Sequence, residues 1–324
     1  MSAPSIGDVF RARRVLGGLL PPTPTWSYSA LSATLGADVL VKHENVQPTG
    51  AFKVRGGLNL LAGMSLEDRQ RGIVGYSTGN HAQSLAYAAG HTGVSCTIVM
   101  PENPNPVKAA AVRARGAEVV EHGQNLDGAC EFAAKLAAES GARLVSAGDE
   151  PALVAGVGTA YLELFEQAPD VDVVVVPVGG GSGAAAACVV AAAVAPGCEI
   201  VAVQAAASPA AHDSWRSGKV VTRPNRSVAE GLATGTGFEL TQGLMRDHLS
   251  DFLLVDDDTI AEAQWIMLRD AHTLTEGAGA ASVAALLAHP ERFAGKRVAV
   301  MCTGANASES ELRAVTRLPA AQAA

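Results

Sequence analysis

Along this chain, short runs of β-branched and aliphatic residues alternate with longer alanine-rich stretches, and the two patterns predict two kinds of element. Ala37–Lys42, Ile73–Tyr76, Ser95–Val99, Glu118–Glu121, Val171–Val178, Glu199–Gln204, Phe252–Val255 and Arg297–Cys302 read as buried strands. Asn80–Ala89, Pro106–Arg115, Leu126–Glu139, Gly156–Glu166, Ser182–Ala195, Thr259–Glu276 and Ala280–Ala288 read as helices. Strands that alternate with helices predict an α/β fold with mostly parallel sheets and helices on both faces. The segment 47–146 holds three strand–helix units of its own, which predicts a small, mobile lobe inserted in a larger one made of 1–46 and 147–324. The cleft between two such lobes is the natural place for a ligand.

Composition narrows the function classes. The chain has 324 residues, enough for two packed domains, and a formal net charge of −8 without a cluster of Lys and Arg, which argues against a nucleic-acid partner. A small-molecule partner is expected instead. The small-apolar stretch Gly183–Ala195 is too short for a membrane span, and Leu16–Leu20, after Arg11, Arg13 and Arg14, is too short and glycine-broken for a signal peptide, so a cytoplasmic location is expected. Cys96, Cys130, Cys188, Cys198 and Cys302 form no C-x-x-C pair and have no histidine at zinc spacing, so they are expected to be ordinary buried thiols. About twenty residues follow Thr303, so no appended regulatory domain is expected.

Three motifs carry chemistry. In Pro48-Thr49-Gly50-Ala51-Phe52-Lys53, a lysine follows a turn and opens a predicted helix. Burial and the positive end of a helix both lower an amine's pKa, which is the condition for Schiff-base chemistry; the plain alternative is a solvated lysine on a helix face. In Ser77-Thr78-Gly79-Asn80-His81, hydroxyls, an amide and backbone N–H groups meet at a helix start and suit a carboxylate, the alternative being an ordinary cap. The strand Val171–Val178 runs into Gly179-Gly180-Gly181-Ser182-Gly183 and a helix, an arrangement that lets backbone amides approach a phosphate. A dinucleotide fold would need an acidic residue at the end of the next strand, where Gln204-Ala205-Ala206 stands instead.

With these three motifs in order, the chain resembles, from about Thr23 to Asn306, the fold-type II pyridoxal-phosphate enzymes, specifically the threonine and serine dehydratases and serine racemases. The resemblance implies pyridoxal 5'-phosphate held on Lys53 as a Schiff base, Phe52 beside it, and Asn80 on its 3′-oxygen. Gly179, Gly180, Gly181, Ser182 and Gly183 would bind its phosphate, and Glu276 would lie near the ring. Ser77, Thr78, Gly79, Asn80 and His81 would hold the substrate carboxylate. Thr303 would face the pyridine nitrogen, where a hydroxyl leaves the ring a weaker electron sink than an aspartate does and so favours loss of a β-substituent. The implied reaction is dehydration and deamination of a β-hydroxy amino acid, foremost L-threonine or L-serine, to a 2-oxo acid and ammonia. Lys53 would remove the Cα proton, and the cofactor phosphate is one candidate acid for the leaving hydroxyl.

By the resemblance, Thr78 occupies the place where serine racemases carry a serine and many dehydratases an alanine; it is the candidate second acid–base group, a capping hydroxyl being the plainer reading, and its extra methyl is expected to keep racemisation to a side activity. Phenylserine, 3-hydroxyaspartate or a hydroxyectoine breakdown product are alternative substrates, and Ala233–Phe238 is the stretch expected to line the side-chain pocket. A non-catalytic cofactor-binding protein is the alternative of a different class, against which the intact motifs speak. Ser227–Leu232 resembles a stretch where relatives carry cation ligands, but Glu230 with Arg223 and Arg226 nearby in sequence is a poor hard-cation site, so no metal is expected. A homodimer is expected from the resemblance alone.

Overall fold

Alternate residues of the predicted strands face opposite ways, and the two sets end in different cores. The computed structural model of the protein describes residues 3–317; the ends of the expected larger lobe, 1–2 and 318–324, lie outside them. Among the described residues ten strands are formed: β1 (Thr25–Ser27), β2 (Asp38–His43), β3 (Ile73–Tyr76), β4 (Cys96–Met100), β5 (Glu118–Glu121), β6 (Arg143–Val145), β7 (Val173–Pro177), β8 (Glu199–Ala205), β9 (Asp251–Val255) and β10 (Arg297–Cys302). They make a six-stranded sheet in the order β1-β2-β10-β7-β8-β9 and a four-stranded sheet in the order β5-β4-β3-β6. Every pairing is parallel except that of β1 with β2.

Val39, Val41, Val173, Val175, Val298 and Val300 pack in one core with the helices Asp257–Asp270 and Gly277–Ala288. Their neighbours Leu40, Val174, Val176, Ala299 and Met301 pack in another with the helices Pro151–Gln167 and Ser182–Val194. In the smaller sheet Ile73 and Ile98 face one cluster and Val74 and Val99 the other. Both sheets are therefore covered on both faces, as parallel strands that present apolar side chains on each side require.

Each strand expected from the sequence is present. β1 and β6 were not expected; both are three-residue edge strands, and only Val145 among their residues is buried, so neither shows an apolar pattern. One helix needs correction. The predicted Thr259–Glu276 ends at Asp270. There His272 takes a left-handed backbone (φ 52°), and the hydroxyls of Thr273 and Thr275 donate to the carbonyls of Ala271 and Gly304, so the chain leaves the helical path. Glu276 consequently stands at the N-cap of the helix Gly277–Ala288 rather than at the end of the preceding one.

Beneath the larger sheet's end lies a buried ionic group absent from the sequence expectations. The Arg55 guanidinium, on the helix Lys53–Ala62, donates to both oxygens of Glu44 at 2.8 Å each and to both of Glu163 at 2.7 Å each. Lys42 on β2 donates to Glu163 at 3.0 Å and to the Thr23 carbonyl at 2.7 Å. Burial alone would raise the Glu44 carboxyl, but Arg55, together with Lys42 and the Thr23 hydroxyl, outweighs it and holds the group below its ordinary value. Two cations and two anions thus fasten β2, the turn after it and the helix Pro151–Gln167 to the helix that begins with Lys53.

Candidate active site

Parallel strands gather their C-terminal ends on one side of a sheet, and the loops leaving those ends form a crevice. Here the loops after β3, β7 and β10 meet the turn that precedes Lys53, and together they line one cleft. All the residues expected around the cofactor and the substrate carboxylate are in its wall: Phe52, Lys53, Ser77, Thr78, Gly79, Asn80, His81, Gly179, Gly180, Gly181, Ser182, Gly183, Glu276 and Thr303.

Lys53 is the first residue of its helix, set there by the turn in which the Gly50 amide donates to the Gln47 carbonyl at 2.7 Å. The Phe52 amide donates to the Thr303 carbonyl at 3.0 Å, which ties this turn to the end of β10. The Lys53 amine donates to the Ser182 hydroxyl at 2.9 Å and lies 5.3 Å from the centre of the Phe52 ring. Burial, with no carboxylate to offset it, pushes this amine down to about 8.

Two helices point their N-termini at the cleft without a side-chain cap. The Ser182–Val194 helix has Gly181 as its N-cap and the Asn80–Thr92 helix has Gly79, so the first amides of each are free for an anion. Ser77 does not cap the latter helix; its hydroxyl accepts from the Gly79 amide in the loop instead. Glycine is required in the first loop for two separate reasons. Gly181 has φ 87°, and a Cβ on Gly179 would lie 2.2 Å from the Gly231 carbonyl oxygen.

The remaining groups form a short relay. Asn80 donates to Glu276 at 2.6 Å, and Asn306 donates both to the Asn80 amide oxygen at 2.7 Å and to the Thr49 carbonyl at 2.8 Å. The Gly277 amide at the start of the next helix is satisfied by Glu311, which frees the Glu276 carboxyl to face Asn80. Burial raises that carboxyl to about 7. His81 is buried with Nε2 unpartnered, and burial, reinforced by the Lys53 charge, lowers its imidazole to about 3, so the ring is neutral.

Several residues of the cleft had no role in the sequence reading: Tyr76, Gln83, Lys108, Leu126, Ala147 and Asn306. Asn306 joins segments far apart in sequence, and no local motif could have pointed to it. Of the stretch expected to line a side-chain pocket, Ala233, Thr234 and Phe238 reach the cleft. Glu230 also lines it, and its partner is Lys108 rather than an arginine close to it in sequence. Among the described residues no three of His, Cys, Asp and Glu gather as a metal site would require, and no helix is long and apolar enough to cross a membrane.

Residues 18–304 match the family model described as pyridoxal-phosphate dependent enzyme. The chain belongs to this family. An unpaired, enclosed lysine beside an uncapped helix start is what this cofactor's aldehyde and phosphate need, so the residues fit the group on the structure's own terms. Within the family, the chain is 36% identical over 303 residues to an L-threonine ammonia-lyase of Thermotoga maritima, covering 93% of this chain and 75% of that one. It is 32% identical over 307 residues to an L-threo-3-hydroxyaspartate ammonia-lyase of Saccharomyces cerevisiae, covering 94% of each. Its fold superposes on that of maize serine racemase with a TM-score of 0.92 at 27% identity, over 97% of each chain. The fold-type II architecture, the cofactor and an enzymatic role expected from the sequence all stand.

Proposed function

We propose that this member of the family is an ammonia-lyase that eliminates the β-hydroxyl of L-threonine or L-serine and releases a 2-oxo acid and ammonia. The observation that carries the reading is the Lys53 amine, held without a carboxylate partner between two uncapped helix N-termini. When bound, pyridoxal phosphate supplies a carbonyl for the amino group and an electron sink for the charge left when the Cα proton departs. The Ser182–Val194 helix start and Gly179–Gly183 would hold its phosphate, with Phe52, Asn80, Glu276 and Thr303 around the ring. Ser77–His81 would take the substrate carboxylate on the free amides at the start of the Asn80–Thr92 helix.

Lys53, with its amine lowered to about 8, has enough neutral form near neutral pH to accept a proton at Cα. Thr78 stands in the carboxylate loop as the second acid–base candidate. The residues 47–146 are proposed to close over the substrate as a unit; the four-stranded sheet within that span supports this. The family likeness also carries a homodimer and a cytoplasmic location into this proposal. The two relatives named above support elimination from a β-hydroxy amino acid, though they differ in the side chain they are named for.

The test is the visible spectrum of the purified protein with cofactor, followed by assay of 2-oxo acid and ammonia with threonine, serine, 3-hydroxyaspartate and phenylserine in turn. Turnover of threonine or serine, lost together with the cofactor band in Lys53→Ala, supports the reading. A chain that takes up no cofactor, or turns over none of these, sinks it.

A further inference from the structure

The cleft contains one ion pair that the chemistry above does not use. Lys108, on the helix Pro106–Arg113 beside the smaller sheet, places its Nζ 2.5 Å from Oε2 of Glu230, on the loop next to the Gly179 turn. The side chain of Lys108 is 12% exposed and that of Glu230 50%. Both residues line the same cleft as Lys53 and the Ser77–His81 loop.

Of the titratable groups in the cleft wall, the Glu276 carboxyl is bonded to Asn80. Lys53 is committed to the cofactor, and His81 is neutral. Among the described residues, Lys108 is thus the one lining cation left to answer a negatively charged substrate side chain, and Glu230 already holds it. The methyl of threonine or the hydrogen of serine makes no demand on the pair. A second carboxylate on the substrate would meet Glu230 as a like charge, with Lys108 engaged.

We propose that Glu230 and Lys108 form a charge filter, in which Glu230 occupies Lys108 and thereby selects neutral over anionic β-hydroxy amino acids. This inference rests on the ammonia-lyase reading and adds the substrate's side-chain charge to it. Removing the negative charge of Glu230 frees Lys108 and turns the filter into a receptor.

The experiment uses the holoenzyme as wild type, Glu230→Gln, and Glu230→Gln combined with Lys108→Met. For each, kcat/KM is measured for L-threonine and L-threo-3-hydroxyaspartate. Binding of L-2-aminobutyrate and L-aspartate, the same side-chain charges without a hydroxyl to lose, is measured by calorimetry. The wild type is expected to prefer threonine and aminobutyrate. In Glu230→Gln the preference shifts about tenfold toward the dicarboxylates in both assays, and loss of Lys108 cancels the shift. A wild type that prefers the dicarboxylates, a ratio unmoved in Glu230→Gln, or a gain that survives Lys108→Met overturns the filter. If no variant turns over either substrate, the ammonia-lyase reading falls, while the binding of aspartate against aminobutyrate still decides the filter.

Discussion

Arg55 and Lys53 lie two residues apart at the start of one helix, yet Arg55 meets four carboxylate oxygens and Lys53 a single hydroxyl. The same sheet end thus holds two buried charge groups of opposite character. Around Arg55 every charge has its partner, and the group fastens elements together. Around Lys53 the groups are left short of partners: an amine lowered by burial, a carboxyl raised by burial and an imidazole nitrogen with no bond. Polar groups in a protein interior are ordinarily satisfied, so a cluster that is not marks where a ligand completes the set.

The comparison can be broken most sharply at its two centres. Lys53→Ala should lower turnover about 10³-fold or more while leaving the denaturation midpoint nearly unchanged, read by steady-state kinetics and urea titration. Arg55→Met should do the reverse in stability, costing about 3–5 kcal/mol in urea unfolding, because Glu44 and Glu163 stay buried without their guanidinium. Equal stability loss in the two variants would erase the distinction drawn between the groups.

Glu276 sharpens it further through pH. Its carboxyl ionises near the ordinary value of 4.5 in the unfolded chain and at about 7 in the folded one, so the native state holds the extra proton between these values. Its contribution is fully present below pH 4.5 and lost as pH rises to about 7. The cofactor-free wild type should therefore lose up to about 3 kcal/mol relative to Glu276→Gln across that window, measured by urea unfolding at each pH, with no further divergence above it. At the other extreme, the pair of Arg13 and Glu166 has both side chains about half exposed. Arg13→Ala should change the unfolding free energy by less than about 1 kcal/mol, because solvent screens both charges.

How much of this was legible in the sequence follows from how far apart the interacting residues lie along it. Lys53 after its turn, the amides before Asn80 and the glycine loop are each contiguous, and local chemistry fixed what they could hold. The strands were legible because apolar residues on both faces leave a continuous run, whereas β1 and β6, at sheet edges, leave none. Glu44 and Glu163 meet Arg55 across 11 and 108 residues, and Lys108 meets Glu230 across 122, so neither ion group leaves a local trace. The end of the helix at Asp270 was missed because its stop is a left-handed histidine and two threonine hydroxyls, without the glycine or proline that usually signals one.

The short distance along the chain from Lys53 to Arg55 also bears on heat. A lysine on a surface lid could drift out of place while the rest of the protein stayed intact. This one begins a helix clamped to the core at its third residue. Warming cannot free this end of the helix without breaking the buried Arg55 group, so displacement of Lys53 from its place is expected to accompany the opening of that group rather than to precede it.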